Sequence, residues 1–195
     1  MKNSKKIILG LILVIVVFIS GMFFASRKTE PSITSTLIQN SIEQASDLVT
    51  TKYHYSKVGK FENSLDLNGW TIPLTTKNFI LTFEGEIQIG TNLSNAKIKI
   101  KDKKIIVNLD SVEVLSNTID EDSIEVYDET KNIFNPISVS DYKEFAIKQK
   151  KVALKEAKEK GLMKEAKENT KKSIKQLIQM IPEASDYTIE VNIED

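Results

Sequence analysis

Few side chains in this sequence are of types that do chemistry, and they lie far apart along the chain. His54 is the only histidine, and it lies between Tyr53 and Tyr55 in a β-branched and aromatic stretch that predicts a strand. A histidine facing solvent there could act as a general acid or base. No serine nucleophile motif accompanies it, so a structural or merely exposed histidine is the stronger interpretation.

An acidic run provides a second candidate site. Asp120, Glu121 and Asp122 are consecutive, and hard cations such as Ca²⁺ prefer carboxylate oxygens as ligands. Their spacing does not match the EF-hand loop, in which ligands alternate around a central glycine. A solvated turn between two strands is therefore the favoured interpretation, and a cation site is the alternative.

Trp70, the only tryptophan, is the third candidate. It lies in a turn-rich stretch, 62–73, in which Asn68-Gly69 predicts a tight turn. Together with Phe79 and Phe83 it could form a platform for carbohydrate or a membrane interface, although aromatic residues at strand spacing are more often core. The candidates for contact with a ligand or partner are therefore His54, Trp70, Asp120, Glu121 and Asp122.

The composition excludes several classes of site. The 195 residues contain no cysteine, which excludes disulfides, thiolate zinc sites and thiol nucleophiles, and a single histidine excludes a histidine-based metal cluster within one chain. There is no glycine-rich phosphate loop or paired catalytic carboxylate motif, and a net charge of zero argues against nucleic acid as a partner. We predict no cofactor, no metal and no catalytic residue, and favour a protein that is not an enzyme.

Two blocks of opposite charge cancel within this neutral total. Residues 110–129 carry eight acids and no basic residue, a local charge of −8, whereas residues 141–175 carry twelve lysines and six acids, a local charge of +6. Complementary potentials of this kind steer association, in cis or between neighbouring chains. The stronger alternative is a solvated helix face with spaced Glu/Lys pairs, each worth about 0.2–0.5 kcal/mol.

A long apolar segment near the amino terminus predicts a membrane anchor. Residues 7–25 contain no charge and no proline, and a helix of this length spans about 28 Å, close to the ~30 Å hydrocarbon core of a bilayer. A cleaved signal peptide is the alternative, but its apolar core is usually shorter and ends in a small-x-small site, whereas Phe23 and Phe24 lie here. Ile19 and Gly21 leave only a weak cleavage site, so an uncleaved signal anchor is favoured.

Basic residues set the orientation of this span. Lys2, Lys5 and Lys6 precede it, which places the amino terminus in the cytoplasm and the remainder outside. We therefore predict a single-pass protein of the cell membrane. Its parts are a cytoplasmic tail (1–6), a transmembrane signal anchor (7–25), a tether (26–32) and an extracytoplasmic domain (33–195).

The periodicity of apolar residues predicts an α+β fold for that domain. Apolar residues recur every three or four positions over 33–49, which predicts an N-terminal helix. Alternating residues predict strands over 50–61, 77–89, 97–101, 105–109 and 112–126, and Asp102-Lys103-Lys104 predicts a hairpin turn between the third and the fourth. Together they predict a single, mostly antiparallel sheet of about five to seven strands. A capping pattern at Ser138 begins a long helix over 139–180, kinked or divided at Gly161, and a last strand follows.

The order of several segments resembles one known family. The single span is followed by Leu48–Tyr55 (LVTTKYHY), Gly69–Pro73 (GWTIP), Ile119–Val126 (IDEDSIEV), Phe134-Asn135-Pro136 and an Ala/Glu/Lys helix with Gly161-Leu162. This series resembles the bacterial domain-of-unknown-function family 4230 over almost the whole chain. The resemblance implies an anchored single-domain architecture and brings no activity or site. A looser likeness to stomatin or band-seven domains suggests lateral self-assembly at the membrane, as an analogy of architecture alone.

These observations predict a membrane-anchored extracytoplasmic protein that acts as an interaction or scaffolding module. The lysine-rich helix and the acidic strand region would mediate packing or self-association, with a second copy or an envelope protein as the partner. The alternative is a ligand-binding or hydrolytic domain of the cell envelope that uses His54 and the region of Trp70.

Overall fold

The computed structural model describes residues 33–43 and 47–194, and residue 16 in isolation. The predicted tail, anchor and tether thus lie outside the described residues, apart from that one position. No helix of the described part is long and apolar enough to cross a membrane. Residues from Thr34 onward form a compact unit of their own.

This unit contains eight strands and three helices within the described residues. In chain order the elements are α1 (Ser35–Glu43), β1 (Asp47–Asn63), β2 (Asp66–Leu67), β3 (Trp70–Thr71), β4 (Lys77–Asn92), β5 (Lys97–Lys101), β6 (Lys104–Leu109), β7 (Glu113–Glu129), α2 (Val139–Glu159), α3 (Leu162–Gln179), a 3₁₀ turn (Pro182–Ala184) and β8 (Thr188–Ile193). The α+β class with mostly antiparallel strands and a final strand is therefore confirmed.

The main sheet is made of three long antiparallel strands in the order β1-β4-β7. β4 is the central strand, and its apolar side chains alternate as the sequence predicts. Five of them are fully buried: Phe79, Leu81, Phe83, Ile87 and Ile89. The prediction of one single sheet is wrong, because β5, β6 and β8 form a second three-stranded sheet and β2 pairs only with β3.

The second sheet combines a local hairpin with a distant strand. β5 and β6 pair across a turn in which Asp102 and Lys103 both have positive φ (50° and 58°), the left-handed geometry of a tight hairpin turn. β8 then returns parallel to β6, from Lys104↔Thr188 to Leu109↔Ile193. α1 packs on β5 and α3 packs on β8. The second sheet therefore contacts both the first and the last helix of the domain.

The N-terminal helix is shorter than the periodicity predicts. α1 ends at Glu43, and β1 already begins at Asp47, so the predicted helix is wrong over its last residues. Leu48 and Val49 instead pair with Thr91 and Gly90 of β4. Pairing with a distant strand overrides the helical period here, because it satisfies the backbone of β1 along its full length.

The two C-terminal helices cover one face of the main sheet. Gly161 has a φ of +89° and separates α2 from α3, which confirms the predicted boundary. Phe145 of α2 packs edge-on against Phe79 and Phe83, with ring centroids 5.3 Å and 5.6 Å apart. Small residues bring the helices close to the same core: Ala153, Ala157 and Ala166.

Two ion pairs fix α2 on the sheet. Lys77 and Asp141 are both almost fully buried, with Nζ and Oδ2 2.7 Å apart. Asp141 also accepts hydrogen bonds from the backbone N–H and the hydroxyl of Ser138, as the capping pattern predicts. Glu156, which interrupts the apolar stripe of α2, binds Lys57 of β1 at 2.5 Å, and this contact accounts for a charge at that position.

Candidate interaction surfaces

Four of the five candidate residues lie on the main sheet, and Trp70 lies on the separate β2–β3 hairpin. His54 and Asp120 line one cleft of about 610 Å³, together with Glu84 and Glu86. Glu121 lines a different groove, and Asp122 is an exposed residue of β7. Trp70 lies on the β2–β3 hairpin and lines neither. The structure therefore brings together only His54 and Asp120.

His54 forms an exposed pair with Glu86. Its Nε2 lies 3.2 Å from Oε2 of Glu86, and its side chain is 73% exposed. The Gln88 side chain donates a hydrogen bond to the other carboxylate oxygen at 2.5 Å, and Lys52 lies 3.9 Å away. The Gln88 hydrogen bond, assisted by the charges of Lys52 and His54, lowers the pKa of Glu86. Glu86 is thereby held as a carboxylate by local partners on the open face of the sheet.

No nucleophile is positioned by His54 among the described residues. Ser56 lines the same cleft, two residues further along β1, but it forms no hydrogen bond with His54 in this part of the chain. Tyr55 also lines the cleft but is buried, and its hydroxyl donates a hydrogen bond to the Thr118 carbonyl oxygen at 3.4 Å. Burial raises the pKa of Tyr55. Its phenol is therefore a neutral packing group rather than an acid or base at neutral pH.

The acidic run forms a bulge inside β7. Glu84 of β4 pairs with Asp120, whereas Thr82 pairs with Glu125, so residues 121–124 have no partner on β4. The hydroxyl of Ser123 accepts a hydrogen bond from the Glu84 backbone N–H at 2.8 Å and donates one to the Asp120 carbonyl oxygen at 2.6 Å. The predicted turn between two strands is therefore wrong, because the run stays within one strand.

The carboxylates of this bulge point apart. Asp120 accepts a hydrogen bond from the backbone N–H of Asp122, while Glu121 faces the groove on the other side of the strand. Across the residues that the structure describes, no three acidic or histidine side chains are grouped so that they could hold a metal ion. The geometry thus gives no support to the alternative of a cation site.

A groove that the sequence does not reveal lies between this bulge and α2. We call it the α2 groove; its volume is about 540 Å³. Its apolar lining includes Leu81, Phe83, Ile119, Ile124, Tyr142 and Phe145, and three charged residues line it as well, Glu121, Lys143 and Lys150. At the bulge, the register between β7 and β4 shifts. Because this shift depends on how two distant segments pair, the sequence alone does not indicate the groove.

The β2–β3 hairpin exposes large apolar side chains. Asn68 and Gly69 have positive φ (55° and 86°), and Asp66 accepts a hydrogen bond from the Gly69 N–H at 2.8 Å, so the predicted tight turn is confirmed. Trp70 is 81% exposed. Phe79 and Phe83 are buried in the core instead, so the hypothetical platform of these three aromatic residues is wrong.

A second loop extends this apolar surface. Asn132 donates hydrogen bonds to the carbonyl oxygens of Leu74 and Thr76, which joins the loop that carries Ile133 and Phe134 to the segment that follows the hairpin. We call the combined surface the apolar tip. Its members are Leu65, Leu67, Trp70, Ile72, Leu74, Ile133 and Phe134, all of them exposed. Only Trp70 is a candidate from the sequence, since the others are ordinary apolar residues until the two loops meet.

The two blocks of opposite charge remain separate. Among the described residues, no acid of β7 takes part in an ion pair, and none of the ion pairs joins β7 to α2 or α3. Lys155 and Lys171 pair with glutamates of their own helix, and Lys167 donates a hydrogen bond to the Glu194 carbonyl oxygen at 3.5 Å. Neither block therefore neutralises the other within the described chain.

The comparison with protein families gives one match. A family model with the description "Protein of unknown function (DUF4230)" matches residues 40–193, from within α1 to the end of β8. A search of curated proteins and a search of solved structures found no match. The architectural likeness to stomatin-type domains consequently has no support from these comparisons. Since the match covers most of the chain, the protein belongs to the DUF4230 family.

Proposed function

We propose that this protein is a membrane-anchored, extracytoplasmic interaction module that associates with further copies of itself. The proposal depends on one observation: the acids of β7 and the lysines of α2 and α3 form opposite charge blocks that are not joined by any ion pair within the described residues. Complementary surfaces that are not joined to each other in one chain are suited to pair between chains.

The position of β7 favours such a contact. It is an edge strand of the main sheet, and nearly all of its residues from Asp120 to Glu129 are exposed. An exposed edge of this length is a template for pairing with another chain, and natural proteins use charges to restrict that pairing. The acids of β7 would therefore repel another β7 and accept a basic surface.

The basic surface is the outer side of α2. Lys148, Lys151 and Lys155 follow each other at helical spacing and are all exposed. A contact between these lysines and β7 of a neighbouring copy is heterologous, so it can extend from copy to copy. The predicted anchor at residues 7–25 would hold all copies in one membrane plane, which raises their effective concentration.

The absence of cysteine makes this contact testable by site-directed disulfide formation. Two tagged versions of the full chain, one with Glu125→Cys and one with Lys151→Cys, would be expressed together and oxidised in intact membranes. We expect a disulfide between the two tags. The triple reversal Glu121→Lys, Glu125→Lys and Asp128→Lys should abolish association measured by co-purification, and reversal of the three α2 lysines to glutamate in the other copy should restore it.

A matched control uses an acid outside β7. Asp186, exposed before β8, can be reversed to lysine and should leave association unchanged. Association should also weaken with ionic strength, because the Debye length falls from about 10 Å at 0.1 M salt to about 3 Å at 1 M. A chain that stays monomeric in the membrane at low salt, without the heterodisulfide, would contradict the proposal.

A further inference from the structure

The apolar tip is the most unusual surface of the described residues. Trp70, Leu74 and Ile133 are each more than 80% exposed, and they lie on two loops that hydrogen bonds hold together. Monomeric soluble domains rarely expose large apolar side chains next to one another, and contiguous patches of this kind mark contact sites. We therefore expect the tip to be covered by a binding partner.

The backbone of the tip is held in a conformation that its sequence disfavours. Leu74 has a φ of +64°, in the left-handed region that residues with a Cβ seldom adopt, and its side chain is 82% exposed. The carbonyl oxygen of Leu74 is fixed by Asn132. Strain at an exposed apolar residue indicates a role in binding rather than in folding.

The α2 groove is complementary to this tip. Its floor is apolar, with Phe83 and Phe145 at its base, and Lys143 and Lys150 line it. The hairpin part of the tip carries Asp66 beside Leu67 and has no lysine between residues 61 and 76, while Lys131 precedes the second loop. Although Glu121 also lines the groove, its two lysines leave a positive balance that matches the acid of the tip.

We infer that the apolar tip of one copy docks in the α2 groove of a second copy. This inference rests on the proposed self-association and adds the apolar contact to it. Large aromatic side chains in pockets supply much of the energy of protein interfaces, and Trp70 would be that anchor. The apolar tip of one copy and the α2 groove of the next would then shield each other from water.

A lipid surface fits the tip less well than a second copy does. Acids outnumber bases around the tip, with Glu62, Asp66, Asp128 and Glu129 against Lys60 and Lys131, so anionic headgroups would meet a net negative charge. β1 also extends over 17 residues between α1 and the hairpin, roughly 50 Å of strand. The tip is thus remote from the end of the domain that follows the predicted anchor.

Trp70 provides a direct readout, because it is the only tryptophan of the chain. The full chain would be reconstituted in vesicles of zwitterionic lipid at increasing protein density. We expect its emission to shift to the blue and acrylamide quenching to fall by at least threefold as copies associate. Leu74→Gly removes the side chain and relieves the positive φ, so it should fold at least as well as the parent and still lose most of this change.

Disulfide formation locates the contact. Leu67→Cys in one tagged copy should crosslink to Ala146→Cys in another, whereas Leu67→Cys should not crosslink to Lys172→Cys, which lies exposed on α3. Ala146→Glu, which adds an acid inside the groove, should remove the fluorescence change without unfolding the helix. A 67–146 disulfide that disappears with Leu74→Gly supports the inference.

Three outcomes would overturn it, and they separate it from the proposed function. If the β7–α2 disulfide of the full chain forms while the 67–146 disulfide does not, self-association stands and the tip contact is wrong. If Trp70 shifts at low protein density only when anionic vesicles are added, the tip binds lipid instead. If neither disulfide forms and Trp70 stays exposed at every density, the inference fails together with self-association.

Discussion

β4 and β7 are neighbours in one sheet and similar in length, but β4 is mostly shielded from solvent and the second half of β7 is exposed. Over its 16 residues β4 has a single exposed residue, whereas nearly every residue of β7 beyond Ile119 is exposed. β4 is covered by β1, β7 and the helices, while β7 has a neighbour on one side only within the described residues. A side chain on β4 is therefore constrained by packing, and one on the outer half of β7 is available for contact.

The same contrast holds for charged residues. Lys77 opens β4 almost fully buried and depends on Asp141, whereas the acids of β7 are solvated and have no ion-pair partner in the described chain. A buried charge contributes to the fold only through its partner, while exposed charges add little to stability. Substitutions in the two strands should consequently separate stability from association.

The largest expected effect is the loss of an aromatic residue from β4. Phe83→Ala should destabilise the domain by about 3–5 kcal/mol, because it leaves a cavity among Tyr55, Phe145 and Leu81. Tyr127→Ala, on the exposed half of β7, should change the free energy of unfolding by less than about 0.5 kcal/mol. Urea unfolding of residues 33–195 measures both, and equal effects would contradict the contrast between the strands.

Removing one charge of the buried pair should have the next largest effect. Asp141→Asn leaves Lys77 buried without a counter-charge and should cost about 3 kcal/mol in unfolding free energy. The joint replacement Lys77→Met with Asp141→Leu should recover most of that loss, since neither charge then remains buried. By comparison, Glu62→Gln breaks the exposed pair with Lys60 and should cost less than about 1 kcal/mol.

This pair also makes stability depend on pH. Although burial opposes ionisation of Asp141, hydrogen bonds from Lys77 and Ser138 lower its pKa. The stabilising contribution is therefore present above the ordinary pKa of an aspartate, near 3.8, and is lost as the pH falls through the lower folded value. Asp141→Asn should accordingly flatten the acid limb of a plot of unfolding free energy against pH.

The elements that could be predicted from the sequence are those set by local chemistry. The β5–β6 hairpin follows from two alternating runs around Asp102-Lys103, and the division of the long helix follows from Gly161, which adopts the positive φ that glycine tolerates. The start of α2 follows from the spacing of Ser138 and Asp141. Each of these signals lies within a few residues of the feature that it predicts.

Features that depend on distant pairing could not be predicted in this way. The alternation along β7 resembles that of β4, and only the strand order makes one an edge and the other the centre. The bulge at 121–124 arises because β4 pairs with Asp120 and then with Glu125. The apolar tip likewise requires the bond from Asn132 to Leu74, which are 58 residues apart. The sequence therefore singles out Trp70 but not the apolar residues that lie around it in the fold.

The close approach of β1 to β4 at Gly85 allows a further test, with a smaller expected effect, of how strongly packing constrains β4. A Cβ at Gly85 would lie 2.3 Å from Cζ of Tyr55, so Gly85→Ala should force the buried ring to move and cost about 1–3 kcal/mol. Gly85 and Gly90 both lie within β4, where neighbouring atoms leave no room for a Cβ. Gly69→Ala, with open space around it, should cost only about 1 kcal/mol for its positive φ.

The smallest expected effect concerns Glu86 on the open face of β4, whose partners lie on β4 itself and on the neighbouring β1. Gln88 donates the hydrogen bond that contributes most to lowering the pKa of Glu86, and both residues lie on the same strand. Gln88→Leu should therefore raise the pKa of Glu86 toward its ordinary value, which carbon NMR of the carboxylate measures directly. Because a lowered folded pKa adds stability only above it, this variant should also weaken the loss of stability on acidification. An unchanged titration of Glu86 would mean that Lys52 and His54, rather than Gln88, hold its charge.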